Sequence, residues 1–78
     1  MSDELEDLYG PAAPYSDHRR GEHVTFTEEG QTYTGEILWV CAPSEIAGRK
    51  MPVRYVVEAD QRGGFPFIVW PSDIIETR

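Results

Sequence analysis

Two histidines, one cysteine and two pairs of neighbouring carboxylates are the side chains in this chain that could do chemistry. They are His18, His23, Cys41, the neighbours Glu28 and Glu29, and the close pair Glu58 and Asp60. A thiolate can act as a nucleophile, and histidines and carboxylates can transfer protons or bind metals. Neither histidine lies at a recognisable motif spacing from the cysteine or a serine, and a lone cysteine does not build a zinc site. We therefore expect no catalytic residues, no metal site and no bound cofactor.

Aromatic side chains are the other candidates, because they are more numerous than so small a core requires. They include Tyr33, Trp39, Tyr55, Phe65, Phe67 and Trp70. Aromatic residues are enriched at the centres of protein interfaces, and small barrels bind extended or proline-rich peptides in aromatic grooves. Tyr55 and Phe67 are expected in the core. Trp39 and Trp70 belong to stretches that are apolar on both faces, so they are the candidates for a functional surface.

Length and composition limit the protein to one small domain. The 78 residues are 40% apolar, and a core of this size supplies only a few kcal/mol of net stability. Cys41 is the single cysteine, so an internal disulfide is impossible. Self-association is the supplement to stability that we expect.

The net charge of −7 disfavours a nucleic-acid partner. Fourteen acidic residues stand against seven Lys and Arg, and nucleic-acid binders neutralise phosphates with clustered cations. An acidic inhibitor that mimics nucleic acid remains an alternative. The N-terminus is acidic and has no apolar signal region, and no stretch approaches the length of a membrane span. We expect a cytoplasmic protein that does not enter a membrane.

Residues 1–20 differ from the rest of the chain. They are rich in acids, contain Pro11 and Pro14, and have no β-branched residue. This composition predicts a mostly disordered acidic tail. Ser2 could cap a short helical turn with Leu5 and Leu8 on one face, as a docking motif would have, but a helix this short is marginal in water.

Residues 21–78 show the alternation of β-strands. The predicted strands are His23–Thr27, Thr32–Cys41, Val53–Ala59, Phe65–Trp70 and Ile74–Thr77. Gly30 and the pair Gly63-Gly64 indicate turns, Gly35 indicates a bulge or bend, and residues 42–52 read as a loop with room for one helical turn from Ser44. The pattern predicts an all-β protein, a five-stranded SH3-like antiparallel barrel.

Four stretches of this predicted barrel resemble the plasmid-borne, trimethoprim-insensitive type II dihydrofolate reductases. The stretches are Gly21-Glu22-His23-Val24, Tyr33-Thr34-Gly35-Glu36-Ile37, Tyr55-Val56-Val57-Glu58 and Ile68-Val69-Trp70-Pro71. The resemblance implies a homotetramer whose central pore binds folate and NADPH through the stretch that corresponds to residues 67–70. That family has glutamine and tyrosine where this chain has Ile68 and Trp70, and its lysine near the first strand is replaced by Phe26 or Thr27. Each lost hydrogen bond is worth about 0.5–1.5 kcal/mol, so we expect no reductase activity.

The function that the sequence favours is a non-enzymatic protein-interaction or self-associating module. Its candidate binding residues are Tyr33, Trp39, Phe67, Ile68, Val69 and Trp70. Ile68 and Trp70 lie two residues apart on one strand and so share a face, which we expect to meet another subunit or a protein partner. A divergent NADPH-dependent type II dihydrofolate reductase and the acidic mimic of nucleic acid are the alternatives.

Overall fold

The computed structural model describes residues 4–61 and 65–77. They form one helix, seven strands and one 3₁₀ turn: α1 (Glu4–Tyr9), β1 (His23–Glu28), β2 (Gln31–Cys41), β3 (Ser44–Ile46), β4 (Arg49–Met51), β5 (Arg54–Ala59), β6 (Phe67–Val69), the turn Pro71–Asp73 and β7 (Ile74–Thr77). The predicted turn at Gly63-Gly64 and the cap at Ser2 lie outside the described residues. Within the described part, no helix is long and apolar enough to cross a membrane.

Five of the strands form one antiparallel sheet with the order β6-β5-β2-β1-β7. β1 and β2 are joined by a two-residue turn in which Glu29 and Gly30 both have positive φ, at 50° and 79°. That geometry matches the right-handed twist of the strands that it joins. The all-β antiparallel prediction is confirmed, while closure of the sheet into a barrel stays a prediction.

The core lies on one face of this sheet, which we call the inner face. Val24 and Phe26 on β1 alternate with partly exposed neighbours, as a half-buried strand requires. The buried side chains of the inner cluster are Val24, Phe26, Ile37, Val40, Tyr55, Val57, Ala59 and Val69. The alternation read from the sequence therefore identified the core face of β1 and β5.

Gly35 is a point of close backbone approach, and the bulge lies elsewhere in β2. An ideal Cβ at this residue would lie 2.2 Å from the carbonyl oxygen of Glu58. The register between β2 and β5 shifts between Ile37 and Trp39, so the irregularity falls at Leu38. Of the predicted bulge or bend at Gly35, the bulge was wrong, and the bend stays a prediction. The glycine is needed because β5 passes too close for any side chain.

Residues 42–52 were predicted to form a loop, and this was wrong. They contain the β3–β4 hairpin, a separate two-stranded sheet in which Glu45 lies opposite Lys50. Its turn residues Ala47 and Gly48 have φ values of 51° and 79°, the same two-residue geometry as in the β1–β2 turn. Alanine rarely takes a positive φ, so propensity gave no signal for this turn.

The N-terminal segment lies against the sheet, where the sequence predicts a mostly disordered tail. After α1, the chain runs beside the end of β2: Ala13 N–H donates to Val40 O, and Ala42 N–H donates to Pro11 O, each at 2.9 Å. Leu5 and Tyr9 pack on Trp39 and its neighbours. The tail's few apolar side chains meet an apolar patch of the sheet, which its composition alone does not reveal.

Candidate interaction surface

The second face of the sheet carries an apolar row that crosses three strands. Trp39 on β2 lies opposite Val56 on β5, and Val56 lies opposite Ile68 on β6. Side chains alternate along a strand, so these three point away from the inner cluster. We call this side of the sheet the outer face.

The N-terminal segment covers the β2 part of the outer face. Trp39 is 5% exposed, its indole N–H donates to Gly10 O at 3.1 Å, and the guanidinium carbon of Arg20 lies 5.1 Å from the centre of the Trp39 ring. The side chain that was predicted to form a functional surface therefore anchors residues of its own chain. Little of the indole remains open to a partner.

The β6 part of the outer face is uncovered. Ile68 is 45% exposed and Trp70 is 40% exposed, while Val69 between them is fully buried on the inner face. Phe67 and Val69 therefore face the inner cluster, as predicted, while Trp70 lies one residue beyond the end of β6. β6 is also an edge of the sheet, since β5 is its only neighbour among the described strands. An edge strand presents unpaired N–H and C=O groups to any segment that lies beside it.

Two glutamates stand beside this apolar surface. Glu36 lies directly opposite Glu58, and both are exposed. Glu58 is two residues from Val56 on β5, so it shares the outer face. Among the described residues, neither carboxylate has an ion-pair or hydrogen-bond partner. Like charges directly opposite one another are destabilising, and no side chain among the described residues relieves this cost.

The remaining predicted site residues belong to the inner side of the sheet. Tyr33 and Phe67 are partly buried around Phe26: the Tyr33 ring stacks on it with ring centres 5.8 Å apart, and the Phe67 ring meets it edge to face at 5.7 Å. Val69 is fully buried. Of the six candidates, only Ile68 and Trp70 lie together on an open surface. The sequence analysis considered Glu58 only as a pair with Asp60 and did not single out Glu36, so it missed the two carboxylates beside this surface.

His23 belongs to a polar cluster that does not have the order of a catalytic triad. Its Nε2 lies 2.6 Å from Asp60 Oδ2, and the Thr34 hydroxyl lies 3.2 Å from that same oxygen. The carboxylate stands between the other two groups, so the imidazole is not placed to take the hydroxyl proton. Gln61 adds two hydrogen bonds to Thr34. The cluster fastens the end of β5 to β2, and the described residues include no group of three metal-ligating side chains.

An open groove of about 700 Å³ separates the N-terminal segment from β2. Its lining combines the charged side chains of Glu6, Arg19 and Arg20 with small apolar ones. The guanidinium of Arg20 is held over the Trp39 ring.

Cys41 lies beneath the N-terminal segment and is buried. Burial raises the pKa of this thiol, and the nearby Arg54 guanidinium opposes that rise only in part. A higher pKa in the folded state favours folding at pH values below the unfolded pKa of about 8.5, and this contribution is lost as the pH rises through the folded value. The thiol is protonated at neutral pH, which suits a packing residue better than a nucleophile.

We expect Cys41 to be slow to react. At pH 8, its reaction with Ellman's reagent should be about 100-fold or more slower in the native protein than in urea, since the reagent must wait for local opening. Comparable rates in the two states would show that the thiol is accessible and would contradict the packing role. The absorbance of the released thiolate measures both rates.

Comparison with known proteins gave no match, since neither a family model, a curated protein nor a solved structure is significantly similar to this chain. The resemblance to the type II dihydrofolate reductases therefore stays a prediction from sequence.

Proposed function

We propose that this protein is an interaction module that binds an extended, basic segment of a protein along the β6 part of the outer face. One observation carries the proposal. The apolar row of the outer face continues from covered Val56 to uncovered Ile68, on a strand that is also the edge of the sheet. A partner strand beside β6 covers the apolar side chains and pairs with the backbone along the edge of the sheet at once.

The apolar contacts alone give only weak binding. Covering the exposed parts of Ile68 and Trp70 contributes about 1 kcal/mol each. A dissociation constant of 1 mM already corresponds to about 4 kcal/mol. Backbone pairing and charge must supply the rest, so the module should bind in the micromolar to millimolar range.

Charge selects a basic segment. Glu58 and Glu36 lie beside the apolar surface, and the whole chain carries a net charge of −7. A lysine or arginine placed near the two carboxylates relieves their mutual repulsion, whereas an acidic segment adds to it. Long basic side chains can extend over apolar surface while their charged ends reach the carboxylates.

The edge is also restricted. β6 has only three residues, and Pro66 and Pro71 stand close to its two ends. Short edge strands and prolines limit strand pairing, so this edge favours one short segment over open-ended aggregation.

Two finer expectations belong to this proposal. In the main sheet, β1 and β7 are the first and last strands along the chain, and they pair with each other. This order supports an SH3-like barrel as the scaffold. The single, unpaired Cys41 is in line with a reducing compartment such as the cytoplasm.

Replacing Ile68 with glutamate should weaken binding of a basic peptide. The probe is a synthetic octapeptide that alternates lysine and valine, and tryptophan fluorescence together with calorimetry measures its affinity. If the peptide were bound only by non-specific charge attraction, the variant would bind it more tightly, because the variant carries one more negative charge. We expect at least about a tenfold loss, which is the 1.4 kcal/mol that the lost apolar contact and the buried charge would cost.

Ile75→Glu is the matched control. Ile75 is 61% exposed on β7, the other edge of the sheet, and the substitution makes the same change of charge. It should leave peptide affinity unchanged or slightly higher. Equal losses in both variants, or a wild-type protein that does not distinguish the lysine peptide from a glutamate–valine peptide, would refute the β6 site.

A further inference from the structure

The β3–β4 hairpin is an exposed arm with two different faces. Residues directly opposite each other in a hairpin share a face, so Ile46 lies beside Arg49 on one face and Glu45 lies beside Lys50 on the other. The second face is a balanced pair of opposite charges. The face with Ile46 and Arg49 is different: Ile46 is 59% exposed, and Arg49 has no ion-pair partner among the described residues.

We infer that the segment bound by β6 is the β3–β4 hairpin of a second copy of this chain. This inference rests on the proposed function, because it names the partner for the same surface. Among the described strands, β3 is the only neighbour of β4, and the other edge of β4 pairs with β6 of the second copy. This pairing places the stem of Arg49 over Ile68 with its guanidinium toward Glu58, while Ile46, one strand further out, meets the long side chain of Trp70.

Charge complementarity decides between this occupant and others from the same chain. Arg49 and Lys50 are consecutive cations in a chain that has only seven Lys and Arg. The exposed α1 is rich in acids, with Glu4, Glu6 and Asp7 in its first turn, so it would be repelled by the carboxylates of the outer face. The hairpin is also held in shape by its two-residue turn, which reduces the entropy lost on binding.

The contact joins two different surfaces and is therefore head-to-tail. Each copy offers one hairpin and one β6 surface, so copies add in a ring or an open chain. Long-range repulsion between copies of net charge −7 opposes assembly in dilute salt. At physiological salt the Debye length is about 8 Å, so that repulsion is screened more than a direct contact between Arg49 and Glu58.

The experiment uses two variants that each lose one surface. Ile68→Glu loses the acceptor surface, and Ile46→Ser combined with Arg49→Glu loses the donor hairpin. Sedimentation equilibrium at about 0.15 M salt gives the mass of each protein over a range of concentrations. Wild type should exceed the 8.9 kDa of one chain increasingly with concentration. Each variant alone should remain a monomer, and an equimolar mixture should form a dimer and nothing larger.

Lys50→Glu is the matched control for the hairpin, because it reverses a neighbouring charge on the face that pairs with Glu45. It should assemble like wild type. Circular dichroism checks that each variant is folded, and Trp70→Ser replaces Ile68→Glu as the acceptor variant if the latter unfolds. Loss of assembly in Lys50→Glu equal to that in the donor variant would overturn the assignment of faces.

The lysine–valine peptide separates this inference from the proposed function. The donor variant should still bind the peptide, because its β6 surface is intact, whereas Ile68→Glu should not. A wild-type protein that binds the peptide but stays monomeric at all concentrations overturns the hairpin as the partner and leaves the interaction module standing. A mixture of the two variants that forms no dimer has the same meaning. An Ile68→Glu variant that loses peptide binding but still assembles would overturn the hairpin contact and leave the β6 site standing, whereas one that keeps peptide binding would refute the β6 surface itself.

Discussion

Gly35→Ala is expected to lower the free energy of unfolding by about 3–4 kcal/mol, a large part of the stability of so small a domain. The added Cβ would lie 2.2 Å from the carbonyl oxygen of Glu58 and 2.9 Å from the Cα of Ala59. Both are backbone atoms at the end of the β2–β5 pairing where Gly35 lies opposite Ala59, so no side chain can rotate away. Relief requires the two strands to separate there, which breaks ladder hydrogen bonds between two inner strands of the sheet.

Equilibrium urea unfolding measures this loss, and Gly30→Ala is the control. Gly30 has a φ of 79°, and a Cβ there meets nothing within 4 Å. Alanine at this turn should cost about 1–2 kcal/mol through backbone strain alone. If alanine at residue 35 costs no more than alanine at residue 30, the close approach of β5 is not what selects glycine.

Removing residues 1–13 should lower the melting temperature by about 10 °C or more. The deletion uncovers Trp39, Val56 and Cys41 on the outer face and breaks the backbone hydrogen bonds to Val40 and Ala42. We expect a loss of about 2–3 kcal/mol, and each kcal/mol corresponds to about 4–8 °C in a domain of this size. Calorimetry of the two proteins gives the difference.

Two leucines on α1 provide the matched comparison for this deletion. Leu5 packs in the outer cluster, whereas Leu8 is exposed. Leu5→Ala should cost about 1–2 kcal/mol, less than a fully buried leucine, and Leu8→Ala should be nearly neutral. The deletion should also speed the reaction of Cys41 with Ellman's reagent. Unchanged melting and unchanged thiol reactivity would show that the tail does not cover the sheet in solution.

The strands of the main sheet were predictable because their burial alternates. Val24 and Phe26 mark the core face of β1, and the two-residue turn at Gly30 has a plain glycine signal. The β3–β4 hairpin was not predictable in this way, since its strands are exposed and Ala47 takes a conformation that alanine disfavours. Local pattern identifies elements that bury one face, and it says little about elements that bury none.

The candidate surface was predictable only in part. Alternation along β6 separates Ile68 and Trp70 from Val69, whatever covers them. The burial of Trp39 depends on Gly10 and Leu5, which approach it from far along the chain. The opposition of Glu36 and Glu58 depends on the register between β2 and β5, and the irregularity at Leu38 shifts that register within the same pair of strands. Contacts between distant segments decide both features.

The pairing of β1 with β7 has a consequence for how this protein is made. Val24 lies opposite Thr77, so the first strand of the main sheet gains its outer neighbour only after nearly all of the domain has been synthesised. Chains leave the ribosome at about 5–20 residues per second, so for some seconds β1 and β2 form a hairpin whose free edge is β1. A nascent chain in that interval exposes a strand edge that the finished protein hides, and we expect chaperones to bind the chain at this stage.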